Sequence, residues 1–363
     1  MALIASVVGA RPNFMKISPL YDEIKNRGIP QILIHTGQHY DDNMSKVFFE
    51  DLSMPQPDIY YGIGSGSHAV QTARVMIEFE KTLMKYKPDL VVVVGDVNST
   101  LACALVCAKQ LVPVAHVEAG LRSFDRRMPE EINRIITDSV SDFLFTPSID
   151  ANENLISEGV DINKIHFVGN IMIDSLHRAI ALSKESTILD SLRLEESSFG
   201  VMTLHRPSNV DDIHSLENLL ETVCQASELS QIVFPIHPRT KKSLSSEIMD
   251  RISSFSNLVL CDPLGYLDFT NLLSNANFVM TDSGGIQEES TALGIPCLTL
   301  RENTERPITV SLGTNTVVGN DPDIILANIE EIIENGGKRG QIPEYWDGNT
   351  ASRIAEIIQF AIS

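Results

Sequence analysis

Short β-branched runs alternate with amphipathic stretches along the whole chain, in two successive series, and this alternation leaves few folds open. In the first half Leu3 to Val8, Ile32 to His35, Leu90 to Val94, Val112 to Val117 and Phe143 to Phe145 read as strands, with Ala69 to Tyr86 and Thr100 to Gln110 at helical spacing between them. Strands joined by helical crossovers pair in parallel. The second series runs through Gly200 to Thr203, Ile232 to Ile236, Leu258 to Cys261, Phe278 to Thr281 and Cys297 to Leu300, separated by helical runs such as Leu216 to Ala226 and Gly284 to Leu293. The expected class is α/β with two Rossmann-like domains, as the length of 363 residues also suggests. The first spans 1–170 plus 350–363, with a last helix at Thr350 to Ile362 returning to it; the second spans 171–349. The boundary is expected between Gly169 and Glu196, where a helix around Met172 to Ser183 gives way to a polar stretch.

Composition removes several classes of function. No stretch approaches the roughly 20 apolar residues that a membrane span needs, so no membrane partner is expected. A net charge of −20 argues against a nucleic-acid partner, whose phosphates would have to be neutralised by Lys and Arg. Met1 to Val8 runs into a Gly-Ala-Arg-Pro turn with no basic leader, which makes the cytoplasm the expected location. Five cysteines with no Cys-x-x-Cys fit neither a disulfide framework nor a zinc site, and no metal or cofactor is expected. An anionic ligand would need a local cluster of cations against this acidic background.

Such clusters stand at the expected strand ends, where open α/β sheets place their ligands. After the first strand, Gly9-Ala10-Arg11-Pro12-Asn13-Phe14-Met15-Lys16 combines a helix start with two cations, a corner suited to phosphate. It has neither P-loop spacing nor a Gly-x-Gly-x-x-Gly fingerprint, and Gly62 to Gly66 reads as a loop leading to a helix, so a dinucleotide enzyme is disfavoured. Val91 to Val94 ends in Gly95-Asp96, where Asp96 is either a site acid or a helix cap. The run His116-Val117-Glu118-Ala119-Gly120-Leu121-Arg122-Ser123, followed by Pro129-Glu130-Glu131-Ile132-Asn133-Arg134, gathers three carboxylates with Arg122 and Arg134 around one strand-loop-helix corner. That set suits proton transfer beside an anion; a charged helix start would account for Glu130 alone. In the second series His205-Arg206 and His237-Pro238-Arg239 end successive strands, and Arg122, Arg134, Arg206, His237 and Arg239 are expected among the groups that touch substrate. Thr281-Asp282-Ser283-Gly284-Gly285 opens a helix whose first amides, Ser283 to Ile286, are placed to cradle a diphosphate. Glu289, one turn on, suits ribose hydroxyls, and Arg306 suits the phosphate.

In this order the motifs resemble the non-hydrolysing UDP-N-acetylglucosamine 2-epimerase family over almost the whole chain. The carriers are Gly9-x-Arg11-Pro12 with Lys16, Thr36-Gly37-Gln38-His39, Gly95-Asp96, the runs from His116 and Pro129, Thr203-x-His205-Arg206, Asp282 to Glu289 and Thr304-Glu305-Arg306-Pro307. The resemblance implies a GT-B-like pair of domains with a deep interdomain cleft, a cytoplasmic homodimer and a UDP-sugar substrate. It implies a catalytic group of Asp96, Glu118, Glu131 and His205. It further implies that Arg11, Lys16, Gln38, His39, Ser283, Gly284, Gly285, Glu289 and Arg306 hold substrate, with Phe269 beside the uracil. The expected reaction is reversible epimerisation at carbon 2, by loss and return of UDP through 2-acetamidoglucal. Related branches with a similar Thr-Gly-Gln-His-Tyr-Asp element, here Thr36 to Asp41, act on diacetamido uronic acid sugars. A hydrolysing relative of the family and a UDP-sugar glycosyltransferase are two further readings of the same motifs.

Overall fold

The central β-branched runs are buried on both faces, and that burial dictates the architecture. In the computed structural model, which describes residues 2–37 and 56–362, the chain divides into two units, Met1–His177 with Glu344–Ser363, and Arg178–Pro343. The division falls within one helix, Ile171–Ser183.

In unit 1 the described strands are β1 (Ile4–Val8), β2 (Gln31–His35), β3 (Ile59–Tyr60), β4 (Leu90–Val94), β5 (Val114–Val117), β6 (Phe143–Thr146) and β7 (Ile165–Phe167). They form a parallel sheet in the order β3-β2-β1-β4-β5-β6-β7. Every residue of β1 and β4 is buried, as expected for central strands covered by helices on both sides. The covering helices include α1 (Arg11–Asn26), α2 (His68–Tyr86), α3 (Asn98–Gln110), α4 (Pro129–Val140), α5 (Ile149–Ser157) and α6 (Ile171–Ser183). Phe79 of α2 and Cys103 and Cys107 of α3 share one core cluster with Val7, Val91 and Val93. Strand β5 starts at Val114, later than the run from Val112 suggests, because Pro113 has no N–H to give the ladder; its carbonyl accepts from Val91 N at 3.0 Å.

Unit 2 repeats the design. After α7 (Ile188–Leu192) come β8 (Phe199–Thr203), α8 (Pro207–Val210), α9 (Ile213–Leu229), β9 (Gln231–Pro235), α10 (Pro238–Ser243), α11 (Ser246–Ser253), β10 (Leu258–Cys261), α12 (Tyr266–Ser274), β11 (Phe278–Thr281), α13 (Gly284–Leu293), β12 (Cys297–Thr299), α14 (Pro307–Ser311), β13 (Asn315–Val317) and α15 (Pro322–Asn335). The strands are parallel in the order β10-β9-β8-β11-β12-β13. Alternation along β8 sends Phe199 and Val201 into one core cluster and Met202 into another, across the sheet. Gly200 is small for a reason: a Cβ there would lie 2.4 Å from the Phe278 ring. The last helix, α16 (Thr350–Ala361), packs on α1 of unit 1. Its first amides, Thr350 and Ala351, donate to Asp174 of α6 at 2.9 and 2.8 Å.

In both sheets the strand order reverses once, between β1 and β4 and between β8 and β11. A crevice opens at the carboxyl ends of strands at such a switch point, and ligands bind there. The turns at these ends are Gly9-Ala10 and Gly95-Asp96 in unit 1, and Leu204-His205 and Asp282-Ser283 in unit 2.

Candidate active site

In unit 1 the switch point is drawn together by Asn13. Its Oδ1 accepts from the amides of Gly9 and Ala10, both at 3.0 Å, and its Nδ2 donates to the Val94 carbonyl at 3.1 Å. One turn further along α1, Lys16 forms a buried ion pair with Glu118. Glu118 follows β5 directly and holds a left-handed backbone, φ 73°, which is unusual for a residue with a side chain and costs local strain. A Cβ at Gly95 would come within 3.3 Å of Lys16 Nζ and 3.5 Å of Glu118 Oε2, so a glycine there leaves this pair its space.

Arg134 links two more carboxylates. It is 3% exposed and donates to Asp96 Oδ2 at 2.5 Å and Glu131 Oε2 at 2.7 Å. Glu131 also accepts from the amides of Ser123 and Phe124, both at 2.9 Å, and from the Ser123 hydroxyl at 3.0 Å. Asp96 keeps its side chain 27% exposed. Asp96, Glu118 and Lys16 therefore gather around the end of β4, while Glu131 sits behind them. Asp96 does not cap α3, whose N-cap is Val97.

Arg122 departs from the expectation of ligand contact. It is 2% exposed, reaches Asp138 at 2.8 Å and grips Glu158 through two bonds of 2.7 Å. Burial opposes its charge, but Glu158 and Asp138 overcome that and hold it strongly protonated. His116 is fully buried too, with Nδ1 2.6 Å from Asp138 Oδ1 and Nε2 2.8 Å from the Gly95 carbonyl. Much of the charge in this motif therefore holds the loops together. Sequence reading misses Asp138, although it stands seven residues after Glu131 in α4, on the same helical face. Gln38, His39 and the side chain of Arg11 lie outside the described residues.

In unit 2 the centre is Asp282, fully buried just beyond β11. It accepts from the amides of His205 and Arg206 at 3.0 and 2.8 Å and from Asn209 Nδ2 at 3.2 Å, and its Oδ1 stands 2.9 Å from His205 Nδ1. Burial alone would raise its carboxyl; the hydrogen bond and charge of His205, with the two amides, outweigh that and hold it below the usual carboxylate range. The His205 ring lies 5.5 Å, centroid to centroid, from that of His237, which caps α10.

The glycine turn follows at once. Ser283 N is already engaged with Thr281 Oγ1 at 3.0 Å, so the amides left without an intrahelical acceptor start at Gly284, one later than expected. A Cβ at Gly285 would meet nothing within 4 Å, whereas one at Gly284 would lie 3.1 Å from Glu305. Cations crowd this turn. Arg306 donates to Glu288 at 2.6 Å, and Arg206 to Glu305 at 3.2 Å. Burial works against the Glu305 charge, but Arg306, Arg301 and Arg206 bring its carboxyl down to about 2. The Arg206 Nε is buried without a hydrogen-bond partner. Deeper in, Glu289 accepts from the Tyr266 hydroxyl at 3.2 Å, and burial raises its carboxyl to about 7. Phe269 packs half-buried in α12 against the Leu272 cluster. Arg239 is turned elsewhere, into an exposed pair with Asp211. Asp282, Glu288 and Glu305 stand within the quoted motifs without a role of their own assigned there, and Tyr266 lies outside them.

Among the described residues no helix is long and apolar enough to cross a membrane, and no three or more His, Cys, Asp or Glu side chains are grouped to hold a metal ion. Two Rossmann-like units, each with ionisable groups at its switch point, define a GT-B-like α/β protein. A family model described as UDP-N-acetylglucosamine 2-epimerase matches residues 22–359. The chain is 42% identical over 364 residues to UDP-N-acetylglucosamine 2-epimerase of Methanocaldococcus jannaschii, covering 98% of this chain and 99% of that one. It is 40% identical over 363 residues to UDP-2,3-diacetamido-2,3-dideoxy-D-glucuronate 2-epimerase of Pseudomonas aeruginosa, with coverage of 98% and 99%. The crystal structure of the Methanocaldococcus jannaschii UDP-GlcNAc 2-epimerase in complex with UDP-GlcNAc and UDP superimposes with a TM-score of 0.90 over 99% of both chains, at 42% identity. The chain belongs to the UDP-N-acetylglucosamine 2-epimerase family and is an enzyme of the epimerase class.

Proposed function

We propose that this chain interconverts UDP-N-acetylglucosamine and UDP-N-acetylmannosamine by elimination and re-addition of UDP, as a cytoplasmic homodimer and without cofactor or metal. The observation that carries the reading is the division of labour between switch points: carboxylates with a lysine at that of unit 1, and a glycine-rich helix start with arginines at that of unit 2. Carbon 2 of the sugar is not adjacent to a carbonyl, so its proton is too weakly acidic for direct removal by a carboxylate. Breaking the bond from carbon 1 to the diphosphate oxygen first develops positive charge at carbon 1, and this acidifies the neighbouring proton. The electron pair of the C–O bond leaves with UDP, a base takes the proton, and 2-acetamidoglucal results. Protonation on the opposite face and return of UDP complete the exchange.

Unit 2 holds the departing UDP in this scheme, through the amides from Gly284 and the guanidiniums of Arg206 and Arg306, with Glu289 on the ribose and Phe269 beside the uracil. Glu118, Asp96 and His205 carry the proton transfers. Glu131 acts through Arg134, which it holds against Asp96. The test is proton NMR of UDP-N-acetylglucosamine with the purified protein in deuterated water. Formation of UDP-N-acetylmannosamine with deuterium at carbon 2 is the expected result, and Glu118→Gln should slow it about 10²–10⁴-fold. Accumulation of UDP and free N-acetylmannosamine would sink the reading in favour of hydrolysis. The similarity to the diacetamido glucuronate epimerase supports a second reading. Turnover of that UDP-sugar, with UDP-N-acetylglucosamine left unchanged, would establish it.

A further inference from the structure

We propose that Asp282 is a positioning residue that fixes the tautomer and aim of His205 and ties both to the diphosphate-holding turn; the proposal rests on the reading of His205 as a proton-transfer group. A carboxylate at Nδ1 keeps hydrogen on that nitrogen and leaves Nε2 for the reacting proton. The ring is 36% exposed, so that nitrogen is within reach of a ligand, whereas Asp282 is fully buried. Rotation of the carboxylate is restricted from three sides by the amides of His205 and Arg206 and by Asn209, whose Nδ2 also bonds the Leu300 carbonyl at 2.9 Å. The next residues in the chain are Ser283, Gly284 and Gly285. The side chain of Asp282 thus sets where the imidazole points, while its backbone leads directly into the glycine turn. Other ionisable groups near His205 among the described residues include His237, at 5.5 Å between rings, and Arg206 with its partner Glu305.

The direct test is long-range nitrogen–proton NMR on the full protein labelled with 15N-histidine, with the His205 signals assigned by their loss in His205→Asn. Hydrogen on Nδ1 at neutral pH is expected; a ring carrying hydrogen on Nε2 alone overturns the proposal. Because this reading needs no turnover, it stays separate from the failure of the epimerase assignment, which a silent wild-type enzyme would signal. Kinetics supply the second arm. Asp282→Asn should lower kcat about 10²-fold or more with KM and UDP affinity changed only a few-fold, because an amide can present its N–H to Nδ1 and force the wrong tautomer. Asp282→Glu should recover part of kcat. A kcat like that of wild type, or a loss confined to UDP affinity, overturns the proposal; if Asp282→Asn does not fold, the wild-type tautomer decides.

Discussion

Each unit carries a histidine–aspartate pair beside its switch point, and the two pairs are built for different ends. His116 lies within β5, fully buried, with Asp138 at one nitrogen and the Gly95 carbonyl at the other, so neither nitrogen is left for a ligand. His205 lies two residues beyond β8, a third exposed, with Asp282 at Nδ1. The carboxylates themselves do not separate the pairs. Burial would raise both, and in both the histidine, helped by Arg122 at Asp138 and by amides at Asp282, brings the carboxyl below its usual range. What distinguishes the two histidines is the surroundings of the nitrogen that the aspartate does not hold.

The largest effects should fall in opposite places. His205→Asn is expected to lower epimerisation about 10²–10⁴-fold, with a smaller loss of stability than at His116, because Asp282 loses the ring but keeps the amides of residues 205 and 206 and the Asn209 side chain. His116→Phe leaves Asp138 and the Gly95 carbonyl short of a buried partner and should cost about 3–5 kcal/mol in urea unfolding. A His116 variant with wild-type stability, or a His205 variant that loses stability just as heavily, would break the distinction.

The parallel sheets were legible because a strand buried on both faces must be an apolar run, as Val91 to Val94 is, and needs no partner to be recognised. The strand ends were legible for the same reason, and the charged motifs attached to them followed. Their internal pairing was not. An arginine within a charged run reads alike whether it faces a ligand or a buried acid; Arg122 faces Asp138, 16 positions away, and Glu158, 36 away. The same blindness hid Asp282 behind His205, and Tyr266 behind Glu289 across 23 positions. Only the folded chain brings such pairs within hydrogen-bond range.

Gly95 offers a finer probe, since its carbonyl serves His116 while its α-carbon faces Lys16 and Glu118. Its backbone is left-handed, φ 66°, and a methyl group would crowd Asn13 and Lys16 at 3.3 Å. Gly95→Ala should therefore cost about 1–2 kcal/mol of stability from the backbone alone. Its kcat should fall further than that loss explains, because the Lys16–Glu118 pair must shift. A variant that loses stability while keeping wild-type kcat would show that the pair tolerates the shift.

Glu289 extends the contrast to unit 2, as a buried acid set beside a tyrosine hydroxyl and a second glutamate. Burial raises its carboxyl to about 7; the Tyr266 bond opposes the rise and the charge of Glu288 adds to it. A folded-state value above that of the unfolded chain means that stability is fully present below the ordinary glutamate range and is lost as pH rises through about 7. Glu289→Gln should remove this decline and be relatively more stable than wild type at pH 8. Ligand binding should run the other way, because an ionised carboxylate accepts from both ribose hydroxyls. UDP affinity should then rise about tenfold between pH 6 and pH 8 as the ionised fraction grows. The terminal phosphate of UDP titrates near 6 and contributes equally in both proteins, so the difference between wild type and Glu289→Gln in calorimetric titrations is the readout. Equal pH slopes in the two proteins would remove Glu289 from the ribose and leave the UDP grip to the amides and arginines of the glycine turn.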